Sequence, residues 1–284
     1  MVLVALLWST AGVATRYLEY ARSFELVFWR SLFAAISLLL MLPYFQGRAV
    51  FRKIREGGVA MWLSGLCWAT MFTAYMVAFT LTTVGNVLVT LAVGPLLTAL
   101  VARIFIGYRI PLRTWGAIVL AGVGIAYMFA SQMGSVSPLG SLVALSIPLA
   151  AAVNWTISQH AHAQGHDLDL VPAVMLGAIV SVASTAAFAF PLHANAHDVL
   201  LLGTLGVFQL AVPCVLCMVC ARVLNAPEIS LLQLLEVIFG ILLAWLGANE
   251  APGSAVLTGG ALVIGALVLN EWLGWRAGAQ PAPI

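Results

Sequence analysis

Ten apolar runs, near residues 1–18, 24–45, 57–80, 82–106, 112–130, 139–160, 169–191, 198–222, 227–247 and 252–272, divide almost the whole chain between them. Each approaches the ~20 residues a helix needs to cross the hydrocarbon core of a bilayer. Lipid offers the backbone no hydrogen-bond partners, so a spanning segment must be a helix or part of a closed barrel. The alternating pattern of a barrel strand is absent. Composition points the same way: hydrophobic residues make up 63% of the 284 and charged residues 8%. A soluble domain carries about 25% charged residues, so this chain lacks the polar coat that a water-facing surface requires. The expected fold is an all-α membrane protein of ten transmembrane helices, with no room for a separate soluble domain.

The two halves resemble each other. Setting Pro95 in Thr82–Met128 against Val237 in Asn225–Asn270 places Tyr108 against Glu250. One inserted residue then aligns Gly116 with Gly259 and Gly122 with Gly265. The expected organisation is a five-helix repeat over 1–133, a second over 134–272 and a tail over 273–284. An odd number of helices per repeat makes the copies cross the membrane in opposite senses. Inverted repeats are the architecture of alternating-access carriers, whose substrate site lies at the repeat interface near the midplane.

Basic residues set the orientation. Arg48, Arg52, Lys53 and Arg55 follow the second run, Arg109 and Arg113 the fourth, and Arg222 and Arg276 the eighth and tenth. All fall on one side if the chain starts in the cytoplasm. The opposite side holds Arg16 and Arg22 beside Glu19 and Glu25. Both termini are expected to be cytoplasmic, in a bacterial inner membrane. The first run has no basic leader and no cleavage site, so it reads as a retained helix. A net charge of +2 gives no reason to expect a nucleic-acid partner.

Several segments also resemble a known family. GNVLVTLAVGPLLTALVARIFIGYRI (Gly85–Ile110) and LLQLLEVIFGILLAWLGANE (Leu231–Glu250) are similar to signatures of the drug/metabolite transporter superfamily. So are LLWST (Leu6–Thr10) and FWRSLFAA (Phe28–Ala35). The chain resembles the ten-helix EamA-type exporters, and its opening resembles their aromatic amino acid branch. It departs from the usual pattern with Glu236-Val237 in place of Glu-Pro and Gly107-Tyr108-Arg109 in place of Gly-Glu-Arg. The resemblance implies outward transport of amino acids or related metabolites through a central cavity.

Glu236 is the leading candidate site residue. A ninth helix starting near Pro227 places it about 14 Å deep in a ~30 Å core, at a ~1.5 Å rise per residue. A carboxyl group at that depth is expensive and needs a partner or a task. Ser230, Gln233 and Gly240 share its face. It suits a substrate ammonium or a coupling proton, or it is a structural hydrogen-bond donor to a neighbouring helix.

Trp68, Phe72, Tyr75 and Phe79 form an aromatic stripe on the third helix, and Asn86, Thr90 and Gly94 a polar stripe on the fourth. Tyr17, Tyr20, Tyr44, Trp62, Trp115, Trp245 and Trp272 sit at span ends, where interfacial aromatics belong. Trp8, Trp68, Tyr75 and Trp155 do not. An aromatic wall facing a few polar groups suits amphipathic solutes, though each residue has core packing or lipid contact as an alternative. Pro95 and Pro213 are expected to kink their helices, freeing carbonyls toward a cavity. Asn154, Ser158 and Gln209 either extend the polar lining or link helices. Arg30 reads as a residue that snorkels to the outer interface, with a substrate carboxylate as its alternative partner.

Cys214, Cys217 and Cys220 repeat on one helix face and read as apolar packing. The run His160–Asp169 carries metal-type residues but falls in a cytoplasmic connection. No metal and no cofactor are implied. The expected partners are a small-molecule substrate and membrane lipids, with monomer and homodimer both open. The expected activity is export of small metabolites, most of all amino acids (aromatic ones included), and not catalysis. The alternatives are an intramembrane enzyme acting on lipids, for which no nucleophile–base set converges, or a channel.

Overall fold

The computed structural model describes residues 1–14, 17–20, 23–47, 49–81, 87, 90–91, 93–107, 109–129, 138–163, 169–248 and 254–276. Helix follows hydropathy closely. The elements are α1 (Val2–Ala14), α2 (Ser23–Gln46), α3 (Ala49–Glu56), α4 (Gly58–Leu81), α5 (Gly94–Ile106) and α6 (Leu112–Phe129). They continue with α7 (Pro138–Ala163), α8 (Val171–Ala189), α9 (Ala196–Cys220), α10 (Ala226–Gln233), α11 (Leu235–Ala248) and α12 (Ser254–Arg276).

Among the described residues, six helices are long and apolar enough to cross a membrane: α2, α4, α7, α8, α9 and α12. α1, α5 and much of α6 are shorter apolar helices. The chain is a multi-pass membrane protein. Its outward-facing residues include Leu40, Phe45, Phe105, Phe188 and Phe208, all largely exposed, which suits lipid and not water.

α3 lies in the basic connection after α2, which hydropathy alone reads as a plain linker. Its sequence AVFRKIRE is amphipathic, and Val50 is buried while Arg52 and Arg55 stay outside. The last helix runs to Arg276, a few residues past the expected start of the tail.

Helices that pack closely do so over small residues, since lipid gives no hydrophobic drive to associate and close backbone approach supplies the contact. α4 packs on α7 and α8, α2 on α8 and the middle of α9, and α6 on α12. α1 packs on α11, and α5 on α7. Gly65 and Gly177 bring α4 against α8, and Gly206 seats α9 against Phe33 and Ala34 of α2.

Polar clasps close both ends of the bundle. At one end Asp169 accepts from Lys53 Nζ of α3 at 2.9 Å, from Arg222 at 2.7 Å and from the Val171 amide at 3.1 Å. Partial burial pushes the Asp169 pKa up, but these donors outweigh it and hold the carboxyl below its ordinary range. At the other end the buried Glu25 accepts from the amides of His193 and Ala194, each bond 2.8–3.0 Å long. Asp198, also buried, accepts from the amides of Glu19 and Tyr20 at 3.0 and 2.9 Å.

Candidate functional site

Helix interruptions meet around one cavity. α5 begins at Gly94, just after a turn at Val93. α7 carries Pro148 in its interior. α9 widens to π geometry over Leu205–Ala211. α10 and α11 are separated at Leu234, where Leu234 and Val237 make short-range amide bonds to Leu231 and Leu234 at 3.1 Å each. Gly94, Pro148, Gln209, Leu210 and Leu234 all line the cavity. Irregular backbone at membrane depth survives where it is buried in protein or faces a cavity, and π-turns are frequent at functional sites.

The space enclosed by the cavity and its open mouth together is about 810 Å³. Trp8 of α1, Trp68, Phe72 and Tyr75 of α4, and Trp155 of α7 supply its aromatic wall. Trp68 meets Trp155 edge-on with centroids 5.6 Å apart and leans on Phe72 at 5.5 Å. Arg30, Gln209, Ser230, Gln233 and Glu236 supply its polar side chains.

These groups are wired together across helices. The Tyr75 hydroxyl donates to Glu236 Oε1 at 2.8 Å, and Trp155 Nε1 donates to Gln233 Oε1 at 3.1 Å. Arg30 donates to Gln209 Oε1 at 3.2 Å and to the Phe72 carbonyl at 3.0 Å. Gln209 Nε2 in turn donates to the Trp8 carbonyl at 3.3 Å. Glu236 occupies the first turn of α11, where the positive end of the helix dipole favours a carboxylate.

Of the residues singled out in the sequence, Glu236, Gln233, Trp68, Tyr75, Trp155 and Trp8 come together on the cavity wall. Phe79 stands outside the lining and packs edge-on against Tyr75 at 4.8 Å. Thr90 is half-buried and also outside it, while its neighbour Leu91 faces in. Asn86 lies outside the described residues. Asn154 is buried away from the cavity, where Ser64 donates to its Oδ1 at 2.6 Å, so it links α4 to α7.

The prolines do not both sit as the sequence suggests. Pro95 occupies the first turn of α5, where a missing N–H is harmless. Pro213 follows the π-turns of α9, whose wider geometry accommodates it. The interior proline at the cavity is Pro148, which sequence reasoning passed over.

Arg30 is a correction. Its guanidinium does not snorkel outward; the side chain is 1% exposed and turned inward onto Gln209 and Phe72. Distance from the helix end is a poor guide when a deeper acceptor is in reach. Cys214, Cys217 and Cys220 are free thiols, and among the described residues no group of three His, Cys, Asp or Glu is placed to hold a metal.

Residues 1–130 match the EamA-like transporter family. That is a family of membrane transporters of small solutes, and the match agrees with the drug/metabolite transporter resemblance of the sequence motifs. The EamA-like segment contributes Trp8, Arg30, Trp68 and Tyr75 to the cavity. Trp155, Gln209, Gln233 and Glu236 come from beyond it. A protein of known crystal structure superposes with TM-score 0.75 at 18% identity, over 98% of this chain and 96% of that one, a likeness of fold. No curated protein matches the chain.

Proposed function

We propose that this protein exports small metabolites, foremost amino acids and aromatic ones among them, across a bacterial inner membrane by alternating access. The observation that carries this reading is the cavity. Broken helices surround a pocket that pairs an aromatic wall with Glu236 and Arg30, as an amphipathic solute with a polar head requires.

The reading includes ten membrane crossings in two inverted five-helix repeats. Packing supports it, because contacts come in exchanged pairs. α1 against α11 has its counterpart in α7 against α5, and α4 against α8 in α9 against α2. The α4–α7 contact has its counterpart in α9 against α1. Saturable exchange separates a transporter from a lipid-modifying enzyme or a channel. Purified protein in liposomes should take up a labelled amino acid only when an unlabelled substrate is trapped inside. Leak that depends on neither saturation nor trapped substrate would favour a channel, and absence of any exchange would sink the transporter reading.

In the same reading both termini and α3 face the cytoplasm, supported by the basic residues of α3 and by Arg222 at the Asp169 clasp. A cysteine replacing Arg52 should then escape a membrane-impermeant thiol reagent applied outside intact cells. Strong labelling there would reverse the orientation.

A further inference from the structure

We propose that Arg30 and Glu236 are opposite poles of one binding site, which selects a zwitterion with its carboxylate toward Arg30 and Trp68 and its ammonium toward Glu236. This rests on the amino-acid reading above and adds the feature of the solute that is read.

Among the described residues, Arg30 and Glu236 are the charged side chains on the cavity wall, one from each half of the chain. They are not a contact pair. Tyr75 stands between them, its hydroxyl 2.8 Å from Glu236 Oε1 and its ring centroid 6.0 Å from the guanidinium carbon of Arg30. Where the dielectric is low, opposite charges attract strongly and would close on each other unless something held them apart. Here Gln209 and the Phe72 carbonyl tether Arg30, and Tyr75 occupies Glu236. Along the cavity wall that Arg30, Tyr75 and Glu236 share, a ligand bearing both charges can reach from one pole to the other.

Unused donors give the direction. Arg30 Nε and Trp68 Nε1 are buried and, among the described residues, have no acceptor, although both residues belong to the cavity wall. Buried donors are nearly always paired in native structures. Both orphans donate, so the missing group is an acceptor, and an arginine is well matched to a carboxylate. A zwitterion also leaves the cavity's charge sum unchanged. A lone cation or anion would add a net charge against a largely apolar wall.

The test uses the best-exchanged L-amino acid, its protonated amide (a cation) and its N-acetyl derivative (an anion) as competitors for counterflow in proteoliposomes. The wild type should prefer the zwitterion to either derivative by about tenfold or more, the worth of one charge-assisted contact. Arg30→Gln should move the preference to the amide, and Glu236→Gln should move it to the N-acetyl derivative. Arg30→Lys should keep the wild-type order. If Arg30→Gln fails to fold, the Glu236→Gln arm decides alone. Exchange of amino acids with the same order in every variant would overturn the two-pole assignment and leave the transporter reading standing. Exchange of no amino acid at all would overturn both.

Discussion

Glutamine at position 236 is expected to raise the apparent KM for the exchanged amino acid on the order of 10- to 100-fold, the loss that follows removal of a charged hydrogen-bond partner. The substitution keeps the shape of the side chain. It also leaves Tyr75 an amide oxygen to donate to in place of Glu236 Oε1, so folding should survive and the change isolates the charge. Two other outcomes carry different chemistry. If counterflow stays intact but a pH gradient no longer drives accumulation, Glu236 is the proton-coupling group. If transport is normal at every pH, in liposomes of matched protein content, Glu236 is a structural residue and its place among the site residues is lost. Tyr75→Phe is the companion variant: it removes the 2.8 Å donor without touching the carboxylate.

Valine at position 177 is expected to prevent accumulation of folded protein. A Cβ on Gly177 would fall 2.4 Å from the Trp68 Cβ, 3.0 Å from the Ala69 amide nitrogen and 3.0 Å from the Gly65 carbonyl oxygen. Those atoms are backbone or fixed to it, so the only relief is to part α4 from α8. Alanine alone should cost about 1–3 kcal/mol as overpacking, and valine more. Because α4 carries Trp68, Phe72 and Tyr75, any alanine variant that does fold should transport poorly as well. Gly116→Ala serves as the control, since a Cβ there meets nothing within 4 Å. Thermal unfolding in detergent reads the difference, and a Gly177→Val protein melting with the wild type would refute the close-packing account.

How far the sequence could be read depended on which physical signal each feature leaves. Burial of whole helices in lipid leaves a composition signal, so the all-helical class and the six long apolar helices were legible. Glu236 was legible because a carboxyl group in an apolar run stands out, and Trp8, Trp68, Tyr75 and Trp155 because they lie away from the interfaces. Arg30 was misread: seven residues into α2, a long side chain can reach water or the interior, and only the position of Gln209 decides between them. Asn154 and Pro148 mark the reverse limits. The first looked like lining and is a strut to Ser64, while the second left no polar signal. The π-turns of α9 are invisible to a period of 3.6, and α3 is too short for a hydropathy window.

Those π-turns act on α9 as a phase shift. Each wide turn holds about one residue more than an α-turn, and one residue corresponds to about 100° of rotation. The segment Leu205–Ala211 therefore decides which side of Val212–Cys220 looks inward, and with it that Cys214 meets the cavity while Val219 stays outside. A helix that stores rotation at its middle can release it there. Tightening those turns would swing the far half of α9 about its own axis while Gln209 stayed tethered to Trp8 and Arg30, a twist in place of a tilt.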